Sequence, residues 1–237
     1  MDKAFQFKEF TIEQNRCAMK IGTDGVLLGA WVSLETNPFS VLDIGSGTGI
    51  IALQLAQRSD AELIDALEID EEAYEQCVDN FENSPWGDRL FCYHASLAEF
   101  AEEIEDKYDL IISNPPFHSE NYKTTSSSRD KARFNDSLPF DKLIESVSLL
   151  LSKEGIFAVV IPNKEEENFI SMASKVKLFP TRICHVRGNE SSIIKRSMIE
   201  FSFKKTTPKT ENITIETSRH NYTKEYIDLV KDFYLKM

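Results

Sequence analysis

A strand, a glycine turn and a helix in direct succession constrain this chain more than any other stretch. Val41-Leu42-Asp43-Ile44 is a short apolar run, Gly45-Ser46-Gly47-Thr48-Gly49 places glycine at alternate positions, and Ile50, Ile51, Leu53 and Leu55 supply the inner face of a helix. Glycine accepts positive φ and lets a ligand approach the backbone, while the helix N-terminus behind it favours an anionic group. A second strand over 63–69 ends on Glu68, Ile69 and Asp70. An acid ~20 residues beyond a glycine turn is where doubly wound folds hold a ribose diol. The turn alone is unspecific; with the acid at that spacing it points to a ribose-bearing cofactor.

The alternation of strand and helix continues. A helix over 71–82 is stopped by Asn83-Ser84-Pro85, and a strand over 90–93 runs into His94-Ala95-Ser96. An acidic helical stretch over 100–105, a strand over 110–113, an amphipathic helix over 138–151 ended by Gly155, an apolar strand over 156–161 and a helix over 165–176 follow. Strands over 183–186 and 197–203 form an antiparallel end. Before the glycine turn, Phe5 to Phe10 alternates as a short strand or hairpin arm, and an apolar helix runs through Val26 to Trp31 with Asp24 as its cap. The tail from Arg219 is amphipathic through Tyr226, Leu229, Val230, Phe233 and Leu235. Five strand–helix units and two closing strands predict a three-layer α/β fold: a mostly parallel seven-stranded sheet with an antiparallel end and helices on both faces. No linker divides it, so we expect one domain over 1–237, with 1–35 as an amino-terminal extension of a 36–237 core.

The strand over 110–113 stops abruptly at Ser113-Asn114-Pro115-Pro116-Phe117. Each proline stiffens the turn and removes an N–H, so the tip shows carbonyl oxygens more readily than donors. Asn114, nearby carbonyls and the Phe117 ring would make an acceptor cluster beside a stacking surface, suited to a planar substrate with an exocyclic amine. An ordinary strand-to-loop turn with one exposed Phe reads the same residues equally well.

The net charge of −12 disfavours a nucleic-acid binder until its distribution is examined. Acids crowd between Asp60 and Asp109, whereas Lys175, Lys177, Arg182, Arg187, Lys195, Arg196, Lys204, Lys205 and Lys209 dominate the stretch after Ser171. The loop after Phe117 is also basic, through Lys123, Arg129, Lys131 and Arg133. A basic face could bind phosphates locally; solvated surface charges are the plainer reading. Cys17, Cys77, Cys92 and Cys184 are scattered without a CxxC pair, which argues against a zinc site and for buried thiols in a reducing compartment. No apolar run is long enough to span a bilayer and the start lacks a signal-peptide core, so the expected location is cytoplasmic, without membrane association.

Asp43 to Gly49, Glu68 and Asn114-Pro115-Pro116-Phe117 together resemble the Rossmann-like class I S-adenosylmethionine-dependent methyltransferases that modify exocyclic or amide nitrogens. Arg16-Cys17-Ala18-Met19-Lys20-Ile21-Gly22-Thr23-Asp24-Gly25, Ser84-Pro85-Trp86, Asn221-Tyr222 and Phe233-Tyr234-Leu235 narrow the likeness to the tRNA1(Val) (adenine(37)-N6)-methyltransferase family. The resemblance implies S-adenosylmethionine as cofactor, no metal, and a valine tRNA as partner of a monomer or weak dimer. It implies that Gly45, Gly47 and Gly49 line the methionine end of the cofactor and that Asp43 binds the cofactor with them. Glu68 would accept from the ribose, with Ile69 beside it, and Thr23 and Asp24 would hold the amino-acid portion. Asn114, which would also border the cofactor, and the Pro115 carbonyl would grip the target amine, with Pro116 and Phe117 against the flipped base. Lys123, Arg129, Lys131, Arg133, Lys195 and Arg196 would meet phosphates. Ser96 stands where relatives often carry an Asp that binds the cofactor adenine, and His118 follows the tetrapeptide where close relatives often have Tyr. The second departure also resembles guanine-N2 methyltransferases of ribosomal RNA; protein-glutamine methyltransferases share the tetrapeptide too.

Overall fold

The computed structural model describes residues 4–116 and 138–237; Phe117, His118, Lys123, Arg129, Lys131 and Arg133 lie outside the described residues. A hairpin of β1 (Phe5–Gln6) and β2 (Thr11–Ile12) leads to α1 (Thr23–Trp31), β3 (Ser40–Ile44), α2 (Ile50–Arg58) and β4 (Leu63–Glu68). Then come α3 (Glu71–Glu82), β5 (Leu90–His94), α4 (Leu97–Glu103), β6 (Tyr108–Ser113), α5 (Phe140–Leu150) and β7 (Leu151–Pro162). A 3₁₀ turn (Asn163–Glu165), α6 (Glu166–Lys175), β8 (Phe179–Arg187), β9 (Arg196–Ser202), β10 (Lys209–Thr214), β11 (Glu216–Ser218), β12 (Asn221–Tyr222) and α7 (Lys224–Val230) complete the chain.

The main sheet has eight strands in the order β10-β8-β9-β7-β6-β3-β4-β5. Every pairing from β7 to β5 is parallel, and β9 alone runs antiparallel to both its neighbours. β3 is buried along its whole length, as expected of a parallel strand covered on both faces. Alternate residues feed two cores: Val41, Leu110, Ile112, Ala158 and Val160 pack with α1, α2, α3 and α7. Leu42, Ile44, Ile111, Phe157, Val159 and Ile161 pack with α4, α5 and α6 on the other face. The amino-terminal hairpin joins the first of these cores. Phe7 pairs with Tyr234 through an isolated bridge, their ring centroids 5.7 Å apart, and stacks on Phe10 at 4.8 Å.

Two expectations need correction. The sheet has one strand more than seven, because β10 adds in parallel to β8. Its sequence, Lys-Thr-Glu-Asn-Ile-Thr, buries only Ile213, so an edge strand of this kind leaves no apolar alternation to read. β8 and β9 do pair antiparallel at this end of the sheet, as expected, with β10 beyond them. Gly155 does not end a helix. α5 passes directly into β7 at Leu151, and Gly155 lies within that strand, where a Cβ would stand 3.0 Å from the Tyr108 carbonyl oxygen. Among the described residues no helix is long and apolar enough to cross a membrane. Cys17, Cys77 and Cys184 are buried free thiols and Cys92 is half-buried.

Candidate active site

The carboxyl ends of the parallel strands share one rim, and the described residues predicted for the cofactor lie at or beside it. After β3 the backbone turns with φ of 72°, 55° and 78° at Gly45, Gly47 and Gly49. The N–H groups of Gly45 and Ser46 both donate to the Leu67 carbonyl, at 2.9 and 3.0 Å, so the turn is tied to β4. A Cβ on Gly45 or Gly47 would meet nothing within 4 Å. These two positions therefore form an open cradle of bare backbone, consistent with close approach by a ligand.

Glu68 reaches across this cradle. Its Oε2 accepts from the Gly47 N–H at 2.8 Å, and its Oε1 accepts from the N–H groups of Ile69 and Asp70 at 2.9 Å each. An ionised carboxylate offers about four lone-pair sites, so three backbone donors fix it and leave acceptor capacity at the rim. Ile69 is 51% exposed beside it. Its carbonyl meets His94 Nε2 at 3.0 Å, and the His94 ring stacks on Tyr74.

Asp43 lies beneath the turn with no exposure at all. Its Oδ2 accepts from the Ala52 N–H at 3.2 Å, and its Oδ1 has no partner. Burial pushes this carboxyl up to about 7, against the Ala52 hydrogen bond and with some help from the charge of Glu68. A folded value above the ordinary one means that folding takes up a proton between the two. The cost of the buried charge is absent at low pH, grows as pH rises through this window and is complete above about 7. Asp43→Asn removes the titration. Its stability relative to wild type is expected to rise between about pH 4 and pH 7 and to level off above, a trend that thermal melts at constant ionic strength would read.

At the start of α1, Gly22 is the N-cap and makes no side-chain capping bond, so Asp24 does not cap the helix. Asp24 is already inside the first turn, and its Oδ2 accepts from Arg196 Nε at 2.7 Å. Both side chains are about one-third exposed, which makes the pair worth little as stability. Its consequence is positional, because it ties α1 to the first residue of β9. Arg196, expected to meet phosphate, is thus engaged within the protein, whereas Lys195 beside it is exposed.

Asn114 follows β6, whose last residue is anchored by the Ser113 hydroxyl donating to the Ile44 carbonyl at 2.9 Å. Asn114 is half-buried, Pro115 buried and Pro116 exposed. A Cβ placed on Gly25 would lie 3.6 Å from Asn114 Nδ2 and 3.5 Å from Ile50 Cγ2. The starts of α1 and α2 therefore lie together beside Asn114, with position 25 in van der Waals reach of both Ile50 and the Asn114 amide.

Ser96 stands at the carboxyl end of β5, but its polar groups serve the start of α4. Its hydroxyl accepts from the Glu99 N–H at 3.2 Å and donates to Glu99 Oε2 at 2.6 Å, while its own N–H donates to the same oxygen at 3.1 Å. This capping box also explains why α4 begins at Leu97, before the predicted 100–105 stretch. One supporting residue escaped the sequence reading. Asn80, 3% exposed, donates from Nδ2 to the carbonyls of Glu13 and Thr48, both at 2.9 Å, and accepts from the Glu13 N–H. It binds the amino-terminal segment to the glycine turn. Its only signal was a polar residue between Cys77 and Phe81 on the buried face of α3.

Among the described residues no cluster of His, Cys, Asp and Glu is arranged to hold a metal ion. Residues 26–177 match the Methyltransferase small domain family. The fold is shared with a predicted O-methyltransferase of Agrobacterium tumefaciens, at TM-score 0.69, 17% identity, and coverage of 89% of this chain and 96% of that one. It is also shared with the ribosomal protein L11 methylase of Lactobacillus delbrueckii subsp. bulgaricus, at TM-score 0.54, 16% identity, and coverage of 76% and 77%. Fold and cradle thus define a class I S-adenosylmethionine-dependent methyltransferase.

Relatives in sequence are closer. The tRNA1(Val) (adenine(37)-N6)-methyltransferase of Flavobacterium psychrophilum is 61% identical over 98% of this chain and 100% of its own. That of Christiangramia forsetii is 61% identical over 100% and 99%, and that of Bacteroides fragilis 45% identical over 98% of each. The chain belongs to the tRNA1(Val) (adenine(37)-N6)-methyltransferase family.

Proposed function

We propose that the protein transfers a methyl group from S-adenosylmethionine to N6 of adenosine 37, beside the anticodon of tRNA1(Val). The observation that carries this reading is the 61% identity, end to end, with relatives of that name. The cofactor, when bound, supplies an electrophilic methyl group on sulfur. The open backbone at Gly45 and Gly47 accommodates its methionine end. Asp43 holds the turn from beneath through the Ala52 N–H, the first turn of α1 at Thr23 and Asp24 offers acceptors beside it, Glu68 takes the ribose hydroxyls, and Ile69 is an apolar wall for the adenine. Ser96 contributes through its place on the rim, its hydroxyl being committed to α4.

Adenine N6 is a poor nucleophile because its lone pair is delocalised into the ring. If its two N–H groups donate to Asn114 Oδ1 and the Pro115 carbonyl, the nitrogen becomes more pyramidal and its lone pair is held toward the methyl group. Positioning and fixed dipoles then do most of the catalysis. The proton becomes acidic as the nitrogen gains positive charge, so no dedicated base is needed. The base must leave its stack to reach Asn114, at a cost of a few kcal/mol, and stacking on Phe117 with Pro116 would return about 1–3 kcal/mol. Lys123, Arg129, Lys131 and Arg133 would hold the flanking phosphates. The buried thiols accord with a cytoplasmic enzyme, and we read it as a monomer or weak dimer, which size-exclusion chromatography with light scattering would measure.

The test is transfer of labelled methyl to unmodified tRNA1(Val), followed by nucleoside mass spectrometry. N6-methyladenosine should form on the natural transcript and not on one carrying guanosine at position 37. Label appearing instead on guanine N2 of ribosomal RNA, or on protein glutamine, would overturn the assignment. For the cofactor site, Glu68→Ala removes an acceptor whose charged hydrogen bonds are worth about 1.5–3 kcal/mol. Calorimetric titration with S-adenosylmethionine should show affinity reduced by roughly 10- to 100-fold.

A further inference from the structure

The connection between β8 and β9, residues 188–195, carries the most exposed large apolar side chain among the described residues, Ile193 at 78%, with Ile194 beside it at 36%. We propose that this tip is a wedge for the substrate RNA: Ile193 enters the base stack next to the extracted adenosine, and Lys195 takes an adjoining phosphate. The inference rests on the tRNA reading given above and adds to it a contact made by the carboxyl-terminal strands.

Position is the first support. The tip stands on the catalytic rim, since β9 begins at Arg196 opposite Pro162 of β7, while β7 pairs through Val159 with Ser113 of β6. Neighbouring strands are ~4.8 Å apart, so β9 is displaced about 10 Å from the strand that presents Asn114. A second route links them: Arg196 pairs with Asp24, and Asp24 precedes Gly25, which lies against Asn114. Ile193 is three residues from Arg196, a reach of at most ~10 Å. That is about three stacked steps at ~3.4 Å each, the scale of the nucleotides flanking one flipped base.

The tip is also braced. Asn189 Oδ1 accepts from the Ser191 N–H at 3.1 Å, the Ser191 hydroxyl at 2.8 Å and the Ser192 hydroxyl at 2.9 Å. The Lys195 N–H donates to Val186 at 2.9 Å, the Lys195 carbonyl accepts from Asn163 at 3.1 Å, and the Gly188 carbonyl accepts from Glu216 at 2.8 Å. With its polar groups engaged locally, the loop holds Ile193 outward as a formed feature.

Its surroundings favour a polyanion. Arg187, Lys195 and Arg196 flank the tip, against Glu190 and the Asp24 carboxylate already on Arg196, in a protein of net charge −12. Two isoleucines between Ser192 and Lys195 make too narrow a patch for a stable protein interface. Aliphatic side chains of this kind are what nucleic-acid-binding proteins insert between bases to hold a step open. A methyltransferase that must extract its target base needs the vacated stack kept from closing.

The experiment compares wild type, Ile193→Leu and Ile193→Asp on tRNA1(Val), with a second transcript carrying the fluorescent base 2-aminopurine at position 37. Ile193→Asp is expected to lower kcat/KM for tRNA by about tenfold or more and to abolish the fluorescence rise that reports unstacking. Ile193→Leu should retain both, and both variants should keep S-adenosylmethionine affinity and melting temperature, the site being exposed. Equal kinetics and equal fluorescence for Ile193→Asp and wild type overturn the wedge, and leave the tip to a protein partner. Absence of methylation at position 37 by wild type overturns the tRNA reading itself, and the wedge with it.

Discussion

Asn114→Ala is expected to lower the rate of methyl transfer by ~10²- to 10³-fold, the usual cost of deleting one preorganised hydrogen-bonding group at a reacting centre. Asn114 is half-buried where the starts of α1 and α2 converge, and its backbone is set by Pro115 and by the Ser113 anchor on Ile44. Truncating the amide removes the acceptor without disturbing either constraint, so melting temperature and cofactor affinity should stay near wild type. Single-turnover kinetics with saturating tRNA would isolate the chemical step. Asn114→Asp keeps an oxygen acceptor and should retain more activity than Asn114→Ala. A fall in cofactor affinity equal to the fall in rate would instead assign Asn114 to the cofactor site.

What could be read along the chain was whatever is carried by neighbouring residues. β3, β4 and β6 are largely apolar runs ended by Gly, Asp or Asn, and each lies close to its expected position, while β7 starts five residues before the run expected over 156–161. Ser40 to Ile44 is the clearest case, because a strand buried on both faces has no solvent side to interrupt the pattern. β10 escaped because it gains its place from pairing with β8, which demands backbone groups and no particular side chains. The same division holds in the site. The glycine turn and Glu68 could be recognised from their spacing, but the three N–H groups that clamp Glu68 depend on how β4 ends against the turn.

Long-range pairing was the least legible feature. Asp24 is the kind of residue that caps helices, and nothing local distinguishes that role from partnership with an arginine 172 positions away. Asn80 is similar: a polar residue in a buried helical face declares that it needs partners, without saying that these are Glu13 and Thr48. Both pairings pull the amino-terminal segment onto the core rim. The extension is therefore integral to the site's construction, through α1 on one side and Asn80 on the other.

Gly49→Ala should be among the most destabilising single substitutions available to this fold, although the residue lies two positions from one where the same change is mild. At Gly49 the backbone has φ of 78°, which costs an L-residue about 1–2 kcal/mol. The new Cβ would also fall 2.5 Å from Phe81 Cε1 and 3.0 Å from Cys77 Sγ, both on α3 and both buried. Overpacking of this kind adds about 1–3 kcal/mol. Together these predict a loss of roughly 2–5 kcal/mol, or about 5–15 °C in melting temperature for a chain of this size. Gly47→Ala separates the two causes. Its φ of 55° brings similar strain, but its Cβ meets nothing within 4 Å, so the melting temperature should fall much less. That Cβ would project into the open cradle, and S-adenosylmethionine affinity should fall although the fold survives. Calorimetry of both variants, with and without cofactor, reads the contrast. If Gly47→Ala bound cofactor as wild type does, the open backbone at that position would not be the surface on which the methionine end rests.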